Sequence, residues 1–208
     1  MDGWATVGAA LLVAGPAAFV ILGLYPPMFR VWTVPRDEHL SLVRDHGRAW
    51  TLINAGFASA TIGTAAGLGV LAAALGGDGG WRAVLVAGAL VYAIAGALWC
   101  AVVAIRTRTT PALAAMAAAG TPTEPAEALL GTAMSGLFAA FLLATGGALV
   151  AVGLGLALGG GVAAPAAWLA VLVGSAAVAG YLAFGDMPPF VLYIPTLLIG
   201  LALLAGWS

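Results

Sequence analysis

Charge is what this chain lacks most. Of its 208 residues, 7% are Asp, Glu, Lys or Arg, against roughly 25% in soluble domains. A water-facing surface cannot be assembled from so few, so lipid must be the solvent around most of the chain. Lysine is absent, and all seven basic residues are Arg. In a chain this rich in Ala and Gly that reflects compositional bias before chemistry, but it excludes a retinal Schiff base. The net charge of −1 offers no basic field to nucleic acid. The single cysteine, Cys100, excludes an intramolecular disulfide and an all-cysteine metal or iron–sulfur centre within one chain. Set in an apolar run, it reads as a small buried hydrophobe. No phosphate loop, zinc motif, CxxC or heptad coiled coil is present.

What the chain has is apolar length: 63% hydrophobic residues and a mean hydropathy of +1.10. About 20 apolar residues cross a hydrocarbon core. Pro, Gly and charged residues divide the chain into six expected spans, near 4–24, 50–75, 81–105, 128–158, 164–184 and 190–207. The expected fold is an all-α integral membrane protein, a single domain over 1–208. Its architecture would be a polytopic bundle of about six transmembrane helices with a short amphipathic interfacial helix after the first. The opening MDGW lacks the positive n-region of a cleaved leader, so the first span is expected to be retained. Glycine-rich turns are expected at 76–80 and 159–161, and a connection with one short surface helix at 109–125.

The polar stretch Thr33–Trp50 stands apart. It holds both histidines, His39 and His46, and six of the fifteen charged residues. Pro35 suits a first helical turn, with Asp37 and Glu38 at the positive end of its dipole. Leu40, Val43 and Trp50 then fall on one side at helical spacing. Arg30, Arg36, Arg44, Arg48, Arg106 and Arg108 lie after the first and third spans, whereas only Arg82 follows the second. The connections 26–49 and 106–127 are therefore expected on the cytoplasmic side of a bacterial or archaeal cell membrane, with both termini outside.

Candidate sites are few. His39 and His46 are seven apart, about 10 Å along a helix. From a straight helix they cannot share one metal, although Asp37 and Asp45 add oxygen ligands nearby. A hydrated interfacial helix outweighs a haem, metal or pH-sensing role for this stretch. Arg44, Arg48 and Asp186 are interface charges; ordinary boundary roles outweigh a lid closed by pairing to Asp186. Asn54, Tyr92, Ser135 and Tyr181 are polar groups within spans. No ionisable residue is expected in the middle of any span, which argues against ion-coupled transport. Gly56, Gly63 and Gly67 form a small face on the second span that invites close helix packing.

Ala133-Met134-Ser135-Gly136 opens the fourth span and resembles the GxSG of rhomboid intramembrane proteases. Ala133 replaces the first glycine, and residues 190–207 hold no histidine to act as base. Ser135 would have nothing to activate it, so proteolysis is excluded. The expectation is a non-catalytic integral membrane protein, a subunit or scaffold that associates with itself or with other membrane subunits. Membrane lipids are its surroundings, and no cofactor is the first expectation. The alternatives are a carrier for a lipid or other neutral small molecule within the bundle, and a haem- or metal-dependent redox protein using His39 or His46.

Overall fold

Proline and glycine decide where the helices stop. This computed structural model describes residues 3–75, 79–159 and 164–206, without the side chains of Pro27, Met28, Trp32, Arg36 and Asp37. Helix α1 (Gly3–Gly23) runs through Pro16. Helix α2 (Pro26–Thr33) starts on a proline, which needs no hydrogen-bond acceptor in a first turn. Pro35 holds Val34 extended at φ −89° and ψ 159°, and α2 ends there. Helix α3 (Arg36–Asp45) follows, and His46 forms a one-residue break at φ −120° and ψ 31° before α4 (Gly47–Ala74). Then come α5 (Gly80–Ala118), α6 (Glu124–Leu158) and α7 (Ala164–Phe184). A 3₁₀ turn, Pro189–Tyr193, leads into α8 (Ile194–Leu204).

No strand occurs among the described residues. Five helices, α1 and α4 to α7, are long and apolar enough to cross a membrane. Helices satisfy every backbone group within themselves, which lipid demands. The chain is an all-α polytopic membrane bundle.

Three expectations need adjusting. The sixth apolar segment is shorter than residues 190–207, because its helix covers only Ile194–Leu204 after the 3₁₀ turn. The expected surface helix, α3, is preceded by a second short one, α2, which ends where Pro35 holds Val34 extended. The connection expected at 109–125 is mostly helix, since α5 continues unbroken through Pro111 to Ala118. One proline forfeits one backbone bond, and the alanines that follow favour helix. Gly120 then closes α5 at φ +72°, with Gly120 N–H donating to Ala117 and Thr121 N–H to Met116. That is a Schellman cap, and its left-handed residue is best supplied by glycine. Residues 76–78, 160–161 and 207, to which two turns and a span end were assigned, lie outside the described residues.

The helices form a closed ring in which α1 packs on α4, α4 on α5, α5 on α6, α6 on α7, α7 on α8, and α8 back on α1. Small residues set how close neighbours come. A Cβ on Gly15 of α1 would lie 2.7 Å from the Ala60 carbonyl oxygen of α4, and one on Gly153 of α6 would lie 2.5 Å from that of Ala167 on α7. Gly88 against Val152 and Gly155 against Leu85 bring α5 and α6 together antiparallel, and Gly200 seats α8 on Ala9 and Leu12 of α1. Dispersion between close backbones is what lipid leaves available for association.

Aromatic rings fill the middle of the ring of helices. Phe19 stacks on Tyr193 at 4.1 Å and meets Phe57 at 4.6 Å, and Trp99 meets Phe141 at 5.0 Å. The Thr61 hydroxyl donates to the Phe57 carbonyl, so the Tyr193 hydroxyl, 2.6 Å away, donates to Thr61. That bond ties the 3₁₀ turn to α4 across the core.

Candidate functional site

The polar residues converge at one end, where α2, α3, the start of α4 and the α5–α6 hairpin meet. Trp50 and Asn54 lie one turn apart on α4, both buried. The Asn54 side-chain amide donates to the Trp50 carbonyl at 2.7 Å. Its Oδ1 then faces α5 and accepts from Arg106 twice, from Nε at 3.1 Å and Nη2 at 2.7 Å. The guanidinium lies 5.3 Å from the Trp50 ring centre and 5.8 Å from that of Trp99. Ring faces are negative, so both indoles attract it.

His39 closes the far side of Trp50, edge-on with ring centres 6.1 Å apart. Its Nδ1–H donates to the Val31 carbonyl of α2 at 3.1 Å, which leaves Nε2 as an acceptor in the neutral ring. Burial lowers the His39 pKa below the ordinary imidazole value. The Val31 bond opposes that shift, Arg106 adds to it, and Glu127 opposes it. The favoured ring is neutral, because a buried cation beside a guanidinium is costly.

Two openings flank this cluster. A cleft of about 200 Å³ lies between α3 and the hairpin, lined by His39, Thr109, Thr110, Glu127 and apolar neighbours. A groove of about 500 Å³ lies on the other side of α3, between the end of α1 and α2, lined by Leu24, Pro26, Phe29, Arg30, Leu42 and His46.

The residues singled out in the sequence scatter. His39 turns inward, whereas His46 is exposed at the α3–α4 break with Nδ1–H on the Leu42 carbonyl. Asp45 pairs with its neighbour Arg44 at 3.1 Å, and Arg48 is exposed. The side chain of Asp37 lies outside the described residues. Asp186 accepts a local hydrogen bond from the backbone N–H of Met187 at 2.7 Å. Ser135 is exposed and bonds to the Thr132 carbonyl. Tyr181 is half-buried, and Tyr92 is buried within the ring. Gly67 packs on Gly8 and Leu12 of α1, and Gly56 on Leu22, but the site of a Cβ on Gly63 is open. Among the described residues, no three His, Cys, Asp or Glu side chains gather as a metal site.

Arg106, Glu127 and Trp50 are the residues that sequence reasoning missed. Arg106 reads as a charge at a span end only if α5 stops there. Its seven-residue spacing from Trp99 puts both on one helix face, and that was the available signal.

The fold and this polar end define an all-α polytopic membrane protein in which most of the described charged side chains gather at one end of the bundle, Arg82 at the start of α5 excepted. No protein-family model, curated protein or solved structure matches the chain.

Proposed function

We propose that the protein is a non-catalytic membrane subunit or scaffold, assembling with itself or with a larger membrane complex through its polar end. The reach of the α5–α6 hairpin carries this reading. With 39 and 35 residues, α5 and α6 are about 58 and 52 Å long, against about 32 Å for the 21-residue α1 and α7. The cleft is lined by residues 109–113 and 127–134 on the side of α3, so the excess of about 20 Å extends from the polar end. Leu129, Gly131, Thr132, Ala133, Ser135 and Gly136 are exposed on it. A hairpin longer than a bilayer requires, with α6 exposed along that extension, is the shape of a docking element.

The other readings have less support. A carrier between the helices needs an interior cavity, and aromatic rings occupy the centre of the bundle. A redox centre on His39 needs further ligands that the described residues do not bring to it.

The test is purification in mild detergent, with mass determination by light scattering and photo-crosslinking from Leu129. The expected result is a homo-oligomer or a reproducible membrane partner crosslinked through α6. A monodisperse monomer without co-purifying protein would overturn the reading.

A further inference from the structure

We propose that the groove between α1, α2 and α3 is a binding site for one anionic glycerophospholipid, with an acyl chain along Leu24, Phe29 and Leu42 and the phosphate at Arg30. The inference is independent of the scaffold reading.

The shape selects a small amphiphile. About 500 Å³ falls within the roughly 300–1,000 Å³ of small-ligand sites. A stable protein partner needs roughly 800 Å² on each side. Among the described residues the lining is almost wholly apolar along its length, with Arg30 and His46 as the two polar side chains. Its wall at Leu24 continues the exposed apolar flank of α1, where Ile21 is 69% and Leu24 62% exposed. An acyl chain can therefore enter from the bilayer without crossing a polar barrier.

The head-group end is prepared by Arg30. Glu38 of α3 holds its Nη2 at 2.7 Å, which fixes a guanidinium whose side chain is still 63% exposed. A guanidinium has five N–H donors in a planar fork matched to phosphate, and one bond to Glu38 leaves most of them for a ligand. His46 directs Nδ1–H to its own helix, so Nε2 is the atom left for the groove. Arg44 and Arg48 flank it in sequence and are exposed. Among Arg30, Glu38, Arg44, Asp45 and Arg48, positive charge exceeds negative by one. That excess favours an anionic head group over a zwitterionic one.

The test is native mass spectrometry of the detergent-solubilised full chain, titrated with phosphatidylglycerol or phosphatidylcholine. The expected result is one phosphatidylglycerol retained in preference to phosphatidylcholine. R30Q and H46Q should each weaken that retention about fivefold, and L42W, which fills the groove, should abolish it. Should L42W fail to fold, R30Q decides, because the exposed Arg30 can be changed without opening the core. Equal retention of both lipids, or unchanged retention in R30Q, marks lipid bound around the whole bundle and overturns the proposal. Displacement by millimolar inorganic phosphate would mark a free-phosphate site, and a protein crosslinked from Phe29 a partner surface. Either would also overturn it.

Discussion

A guanidinium at the edge of a lipid bundle survives only when its donors and its charge are accommodated. Asn54 and the two indoles of Trp50 and Trp99 do this for Arg106. Asn54→Leu removes the acceptor while leaving the charge, and hydrogen bonds to charged groups are worth about 1.5–3 kcal/mol. Its thermal denaturation in detergent should show a loss of that size. Arg106→Lys should also destabilise, because an ammonium cannot bond Asn54 through a planar fork and lie along both rings together. A wild-type melting temperature in either variant would remove Arg106 from the architecture. His39 makes a pH-dependent contribution with a definite sign. Its pKa is lowered in the docked state by burial, so released α3 takes up the proton first. The contribution is complete above the ordinary imidazole value of about 6.5 and is lost as pH falls through the lowered one. Protection of the α3 amides, measured relative to their intrinsic exchange rates, should fall at pH 5 compared with pH 7.5, and His39→Gln should flatten that dependence. An unaltered pH response in the variant would place the titrating group elsewhere.

Glycines that look alike in the chain differ once helices pair. A Cβ at Gly15 would strike the Ala60 carbonyl at 2.7 Å and the Thr64 hydroxyl at 2.5 Å, whereas one at Gly63 meets nothing within 4 Å. Gly15→Ala should destabilise by about 1–3 kcal/mol, as overpacked sites do. Gly63→Ala should be neutral or stabilise by up to about 1 kcal/mol through helix propensity. Equal melting temperatures for the two variants would refute the pairing of α1 with α4. The small face on α4 was thus legible as a face, but which glycine packs depended on the rotation of α4 against α1. The hairpin was less legible. Pro111 and the threonines around it read as a helix end, and only the alanines that follow argue for continuation.

Across the whole molecule, the antiparallel ring puts the ends of α1, α4, α5, α6, α7 and α8 at defined levels. Leu24, Thr121 and Gly185 lie at the polar end; Leu75, Gly159 and Ala205 lie at the other, beside the start of α1. In a Cys100→Ser background, single cysteines at the first three should be labelled by an impermeant maleimide from one side of a sealed vesicle, and the second three from the other. Labelling of the first three from the cytoplasmic side is the outcome the Arg count predicts. A mixed pattern within either set would break the six-segment topology.

By itself the sequence determined the class: 7% charge and long apolar runs admit only a lipid-solvated helical protein, because composition alone decides which solvent a surface can meet. It also located the polar stretch, since Pro26 and Pro35 punctuate the chain locally. Only the tertiary structure decided that α5 and α6 outrun the bundle, that His39 turns inward while His46 turns out, and that Arg106 belongs with Asn54 and Trp50. The reason is physical. Arg106 and Asn54 are 52 positions apart, and their meeting depends on how α4 and α5 rotate and slide against each other. Backbone approach at paired small residues sets that register, and no pattern within either helix records it.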